Sequence, residues 1–212
     1  MLQLKMFSFN PLQVNTYLIY EPGGIGIIID PSCMDRKEFN ELQNFIEKNG
    51  LRLEYQLNTH GHFDHVFGVQ MVKDAYQPIF KIHQDDAGFL RLAGDHSRGF
   101  GFDFEGEIPE PDGYLDDSDI ITAGTINLTV IHVPGHSKGS VAFYEASSGW
   151  LFSGDTLFAG GIGRTDLPGG NYDQIISSIT EKLMVLPDAT IVFPGHGPSS
   201  TVGKEQVSNP YL

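Results

Sequence analysis

The stretch "THGHFDH", residues 59–65, sets His60, His62, Asp64 and His65 side by side where a strand-like segment, "LEYQL", runs out. Three imidazoles that close repel one another when protonated, and none is cheap to bury. Something positive must sit among them, so the rest of the chain is expected to hold the donors that complete its shell.

Three later segments do end a strand-like run on a metal-binding side chain. "VIHVPGHSKGS" supplies His136, "WLFSGDTLF" supplies Asp155 and "TIVFPGHGP" supplies His196. Each is preceded by a glycine (Gly135, Gly154, Gly195), which permits a sharp turn and a close backbone approach. Five histidines and two aspartates are too many for one tetrahedral metal. They suit two metals about 3.5–4 Å apart, sharing a carboxylate and an activated water. Ligation by nitrogen and oxygen without thiolate fits zinc, iron or manganese, with zinc the first expectation. His83, His96 and His132 are left with ordinary structural roles, His96 least securely because it sits in a long segment that could border the pocket.

The first third of the chain reads as β-structure in "LQLKMFSF", "VNTYLIYE" and "GIGIIID". A helix follows over "DRKEFNELQNFIEKNG", with Phe39, Leu42, Phe45 and Ile46 on one stripe, Asp35 at its start and Asn49-Gly50 at its end. "VFGVQMVKDAY" is helical and "PIFKIH" a strand. Residues 93–119, rich in Gly, Phe and acids, show no period and are expected to form a long functional loop. Strands resume in "INLTVIHV", "GSVAFYEA" and "GWLFSGD", and "NYDQIISSITEKLMVLP" is strongly amphipathic. Two β-rich halves, each followed by helix, predict two sheets packed face to face with helices outside.

Composition narrows the function classes. With 13 basic against 27 acidic residues, a formal charge of −14 and no basic run, a nucleic-acid or anionic-membrane surface is not expected. No stretch reaches transmembrane length, "MLQLKMFSFNPLQ" lacks the apolar core of a signal peptide, and Cys33 has no partner for an internal disulfide. A soluble, cytoplasmic protein is therefore expected, with monomer and homo-oligomer both open and Cys33 an unreactive thiol.

In order along the chain, "THGHFDH", "PGHSKGS", "SGDTLF" and "FPGHG" resemble the metallo-β-lactamase superfamily over nearly the whole length. The resemblance implies an α/β fold, a four-layer αββα sandwich in which helices flank two mixed β-sheets, as one domain over residues 1–212. It implies two divalent metals, one held by His60, His62 and His136, the other by Asp64, His65 and His196. Asp155 would bridge them, and Asp64 and Asp155 would be the acids of the catalytic centre. Asp30, ending "GIGIIID", matches an acid that orients a histidine ligand from behind.

With Asp64 engaged as a ligand, no dedicated general acid is evident. Thioesters suit such a site because a thiol pKa of about 8.5 lets the thiolate leave unprotonated. "GGIGRTDLPGG", residues 160–170, and the terminal "NPYL" resemble short glyoxalase II-like hydrolases, which act on hydroxyacyl-glutathione thioesters such as S-lactoylglutathione. The chain ends soon after His196, without the helical C-terminal region that grips glutathione in full-length glyoxalase II, and "GPSST" replaces the usual aromatic segment. These departures put glutathione itself in question as the carrier. "GRTD" also resembles persulfide dioxygenases, single-iron oxidoreductases of the same fold, and they or a lactonase are the alternatives. Arg164 and Lys138 are the candidates for a substrate carboxylate, making an anionic thioester the expected small-molecule partner. An internal ion pair with Asp166 competes for Arg164, and plain solvent exposure for Lys138.

Overall fold

Ile27, Ile28 and Ile29 point alternately into two separate cores, as successive residues of a strand must. The computed structural model describes residues 1–104 and 106–212. One six-stranded sheet is built from β1 (Gln3–Phe9), β2 (Val14–Tyr20), β3 (Ile25–Ile29), β4 (Arg52–Leu57), β5 (Ile79–His83) and β6 (Gly113–Leu115), paired in that order. Its first three strands are antiparallel and the remaining pairings parallel. The second sheet holds β7 (Ile120–Ala123), β8 (Ile126–His132), β9 (Val141–Glu145) and β10 (Trp150–Gly154). A short hairpin, β11 (Leu157–Phe158) and β12 (Gly161–Ile162), leaves it before β13 (Ile191–Pro194) and β14 (Ser200–Thr201) complete it in the order β14-β13-β10-β9-β8-β7. Here β10 and β13 run parallel and the other neighbours antiparallel, so both sheets are mixed.

Tyr17, Ile19, Ile27, Ile29 and Leu57 of the first sheet meet Leu128, Val130, Val141, Phe143 and Phe152 of the second to form the inner core. Leu18, Ile28 and Leu53 face outward onto helix α1 (Arg36–Lys48), which buries Phe39, Leu42 and Ile46. Asp35 caps that helix by accepting the Glu38 N–H at 2.8 Å. On the far side, Leu151 and Val192 meet α6 (Tyr172–Ser178), whose Ile175 stripe continues through a π turn at Ile179–Leu183, and α7 (Val202–Ser208). Helix, sheet, sheet, helix is the predicted four-layer αββα arrangement. No helix among the described residues is long and apolar enough to cross a membrane.

One expectation is corrected. Residues 93–119 are not a structureless loop: α4 (Ala87–Leu90), preceded by α2 (Phe63–Val66) and α3 (Val69–Tyr76), is followed by α5 (Ala93–Gly99), and β6 pairs in parallel with β5. The helix hid because it buries only the small residues Ala93 and Ser97, which give no apolar period. The strand is too short to show alternation. Phe104 packs on Phe67 at 4.7 Å between ring centroids, while Glu105 of this segment lies outside the described residues. Cys33 is fully buried, its thiol pushed up to about 12 by burial, in keeping with an inert role.

Candidate metal centre

Five loops converge at the carboxyl ends of β3, β4, β8, β10 and β13. They carry Asp30, the 60–65 cluster, His136, Asp155 and His196 respectively. Two glycines show why these loops can close up. Gly154 holds φ 51°, a left-handed turn that puts Asp155 immediately past the strand. A Cβ at Gly195 would land on Asp155 Oδ1 and within 2.8 Å of His65 Cε1, so this position needs glycine for space. The two sheets are tied together here by β2. Asn15 Nδ2 donates to the Pro194 and Gly197 carbonyls at 3.0 and 2.9 Å, and the Tyr17 hydroxyl donates to Pro194 O at 2.6 Å.

All seven predicted donors meet. Donor atoms of His60, His62 and His136 lie within 4.8 Å of one another, as do those of Asp64, His65 and His196, and a third group joins His60, His65 and Asp155. Asp155 stands between the trios. Its Oδ2 lies 3.7 Å from His136 Nε2 and 3.5 Å from His196 Nε2, and its Oδ1 is 3.4 Å from His65 Nε2.

Behind four of the five rings, the protein holds Nδ1. Asp30 Oδ2 accepts from His65 Nδ1 at 3.0 Å and from the Thr59 hydroxyl at 2.7 Å. Because that hydroxyl has spent its proton, it accepts from His60 Nδ1 at 3.0 Å. His136 Nδ1 donates to the Arg164 carbonyl and His196 Nδ1 to the Leu12 carbonyl, each at 2.9 Å. Four imidazoles thus turn Nε2 inward. The Nε2 atoms of His60, His65 and His136 and Oδ1 of Asp155 are buried without a hydrogen-bond partner. Buried polar atoms left unpartnered in this way demand an explanation, and a shared cation is the one that fits all four.

The electrostatics divide the site. Burial, then the imidazoles of His65, His62 and His136, hold His60 well below the ordinary histidine range, and burial with His136 pushes His62 down to about 3. These are neutral nitrogen donors at pH 7. At His65 burial opposes charge, yet the carboxylates of Asp155, Asp64 and Asp30 outweigh it and hold the ring well above its usual value. At His196 burial is likewise outweighed, and hydrogen bonds to Asp155 and Asp64 lift it to about 9. Against their own burial, Asp155 is held well below the carboxylate range by His65 and His196, and Asp64 is lowered by the same pair. A field that keeps protons on two histidines is one that favours a cation.

A cavity of about 610 Å³ opens above, walled by Leu12, Phe63, Phe89, Phe100, Leu167 and Pro168. His96, given an ordinary role from sequence, lines it. Arg164 lines it too, but its Nε and Nη2 donate to the two oxygens of Asp166 at 2.7 Å each, the competing ion pair. Lys138 is not among the residues lining this cavity; it lines an adjoining surface recess with Asp85, Leu92 and Pro168, which also walls the cavity. His83 and His132 stack on each other at 4.3 Å, away from the centre. The two stretches singled out near the C-terminus touch, as Asn209 Nδ2 donates to the Gly161 carbonyl at 3.1 Å.

Sequence reasoning missed Asp86. Fully buried, it accepts from Gly61 N at 2.9 Å, Ser137 Oγ at 2.6 Å and Gly139 N at 2.7 Å. It thereby clamps the His60/His62 loop to the His136 loop. Nothing in "HQDDAG" distinguishes it from a surface acid.

The chain belongs to the metallo-beta-lactamase superfamily, whose family model matches residues 9–196. It is 34% identical to the hydroxyacylglutathione hydrolase GloC of Haemophilus influenzae, over 100% of this chain and 98% of that one. Among solved structures, the BLEG-1 B3 metallo-beta-lactamase superposes with a TM-score of 0.91 at 35% identity, covering 99% of each chain. TTHA1623, solved in a di-iron-bound form, superposes at 0.88 with 36% identity, covering 98% of this chain and 100% of that one.

Proposed function

We propose that this chain, working as one domain over residues 1–212, is a metal-dependent thioester hydrolase of the glyoxalase II-like kind. The observation that carries the reading is the set of buried, partnerless donor atoms facing one another in two trios that share Asp155. His60, His62 and His136 would hold one divalent cation, Asp64, His65 and His196 the other, and Asp155 both. Zinc is the first expectation, with iron, for which TTHA1623 is the precedent, or manganese open. Such a pair supplies, when bound, an acidified water and an electrophile for the acyl oxygen.

The chain's own residues do the rest. Asp30 and Thr59 keep His60 and His65 in the tautomer that presents Nε2, and the carbonyls of Arg164 and Leu12 do so for His136 and His196. The cavity walls orient the acyl group and exclude water from its far side. Asp64 Oδ2, 3.5 Å from His196 Nε2 and 3.9 Å from His65 Nε2, is engaged and offers no proton. The leaving group must therefore depart as an anion, which a thiolate does and an amine or alkoxide does poorly. The GloC relative makes S-lactoylglutathione the first substrate to assay.

The test is metal content, thioester hydrolysis and oxygen uptake measured on one purified sample. Two metals per chain with hydrolysis is the expected result. One iron with oxygen consumption would replace this reading with a persulfide dioxygenase, and faster turnover of a β-lactam, the substrate class named by BLEG-1, would replace it with a lactamase.

A further inference from the structure

We infer that the cavity selects thioesters with an uncharged, apolar acyl chain and holds them by packing rather than by an ion pair; this rests on the thioester reading above. The donors proposed to hold metal form the floor of the cavity, and six apolar side chains make most of its wall: Leu12, Phe63, Phe89, Phe100, Leu167 and Pro168. Beyond the floor, only Arg164 and His96 bring polar side chains to the lining among the described residues. Arg164 is the one permanent cation there, and Asp166 occupies it through both Nε and Nη2. A substrate carboxylate would have to displace a partner two residues away in the chain, on a protein carrying a formal −14. An aliphatic chain meets no such competition. It packs against apolar side chains of the wall, and each buried methylene is worth about fourfold in affinity. The volume, about 610 Å³, leaves room for several methylenes beyond the scissile carbonyl.

The experiment is a kcat/KM series on the metal-loaded enzyme with acetyl, butanoyl, hexanoyl and succinyl thioesters of one neutral carrier, N-acetylcysteamine. We expect a rise of about fourfold per methylene up to hexanoyl and a succinyl thioester at least about tenfold slower than butanoyl. Leu167→Ala should flatten the slope. Asp166→Asn, which frees the Arg164 guanidinium, should raise the succinyl-to-butanoyl ratio at least about fivefold, a change that a merely structural ion pair would not produce. A flat series, or succinyl equal to or better than butanoyl, overturns the inference while leaving thioester hydrolysis standing. Turnover of no thioester overturns the function proposed above. The inference is then decided by calorimetry on the metal-loaded protein, where hexanoate must bind more tightly than succinate and the reverse order refutes it.

Discussion

The two halves of the centre are held by different means. The Asp64/His65/His196 half leans on Asp30, a carboxylate that touches an imidazole directly. The His60/His62/His136 half leans on Asp86, a carboxylate that touches no imidazole and binds the loops instead, through Gly61 N, Ser137 Oγ and Gly139 N. Asp30 also reaches across, because Thr59 relays it to His60. One acid therefore sets ring tautomers in both halves, and the other sets the geometry of one. The difference teaches that a site can be supported chemically from one side and mechanically from the other, and the two kinds of support fail differently.

The largest effect should erase the comparison altogether. Asp155 lies within 3.7 Å of a histidine of each half, so Asp155→Ala should cost at least about 10³-fold in kcat/KM and leave fewer than two metals per chain by elemental analysis. Two bound metals with full turnover would remove the bridging assignment. Next comes Asp30→Asn, which keeps a side chain that tolerates the left-handed backbone at φ 48° while losing the charge. Acting on His65 and, through Thr59, on His60, it should weaken both metals by about 10–100-fold in a chelator competition. Weakening of one metal alone would show that the Thr59 relay carries nothing.

The halves should also differ in how they exchange protons for metal. His196 is lifted to about 9 and so is protonated at pH 7, whereas His62, at about 3, is not. A ligand must give up its proton to bind. Affinity at the Asp64/His65/His196 half should therefore fall by up to about a hundredfold per pH unit as pH drops below about 9, tenfold for each of the His65 and His196 protons, while His60 and His62 release none across neutrality. Calorimetry in buffers of different ionisation enthalpy would count the protons released. Equal release from both binding events would contradict the asymmetry.

Much of this was legible in the sequence, for identifiable reasons. The four-layer fold was readable because "GIGIIID" and "VNTYLIYE" bury both faces and two helices carry clean apolar stripes. The seven donors were readable because they cluster just past strand-like runs, four of them directly behind a glycine. What stayed hidden works through backbone or position. Leu12 and Arg164 act on histidines through their carbonyls, which no side chain advertises. His96 reaches the cavity only because α5 forms, and α5 shows no period because Ala93 and Ser97 are its only buried residues.

Asp86 is the sharpest case of hidden support, and its loss should have the smallest and most selective effect. Two glycines pack against it: a Cβ at Gly61 would sit 2.6 Å from the Asp86 carbonyl, and one at Gly139 would sit 2.8 Å from its amide nitrogen. The clamp is therefore built from both sides, and Asp86→Ala orphans the Gly61 and Gly139 amides, at roughly 1–3 kcal/mol for each one left unsatisfied, while the Ser137 hydroxyl can turn to Ser140 Oγ at 2.7 Å. Asp86→Asn is the gentler probe, since it keeps one acceptor oxygen and the shape. It should lower Tm by a few degrees and weaken metal several-fold at the His60/His62/His136 half, leaving the Asp64/His65/His196 half unchanged. Cobalt titration followed by its visible absorption would resolve the two halves as separate steps. If both steps shifted together, Asp86 would be a general stabiliser of the fold, and the distinction between chemical and mechanical support would collapse.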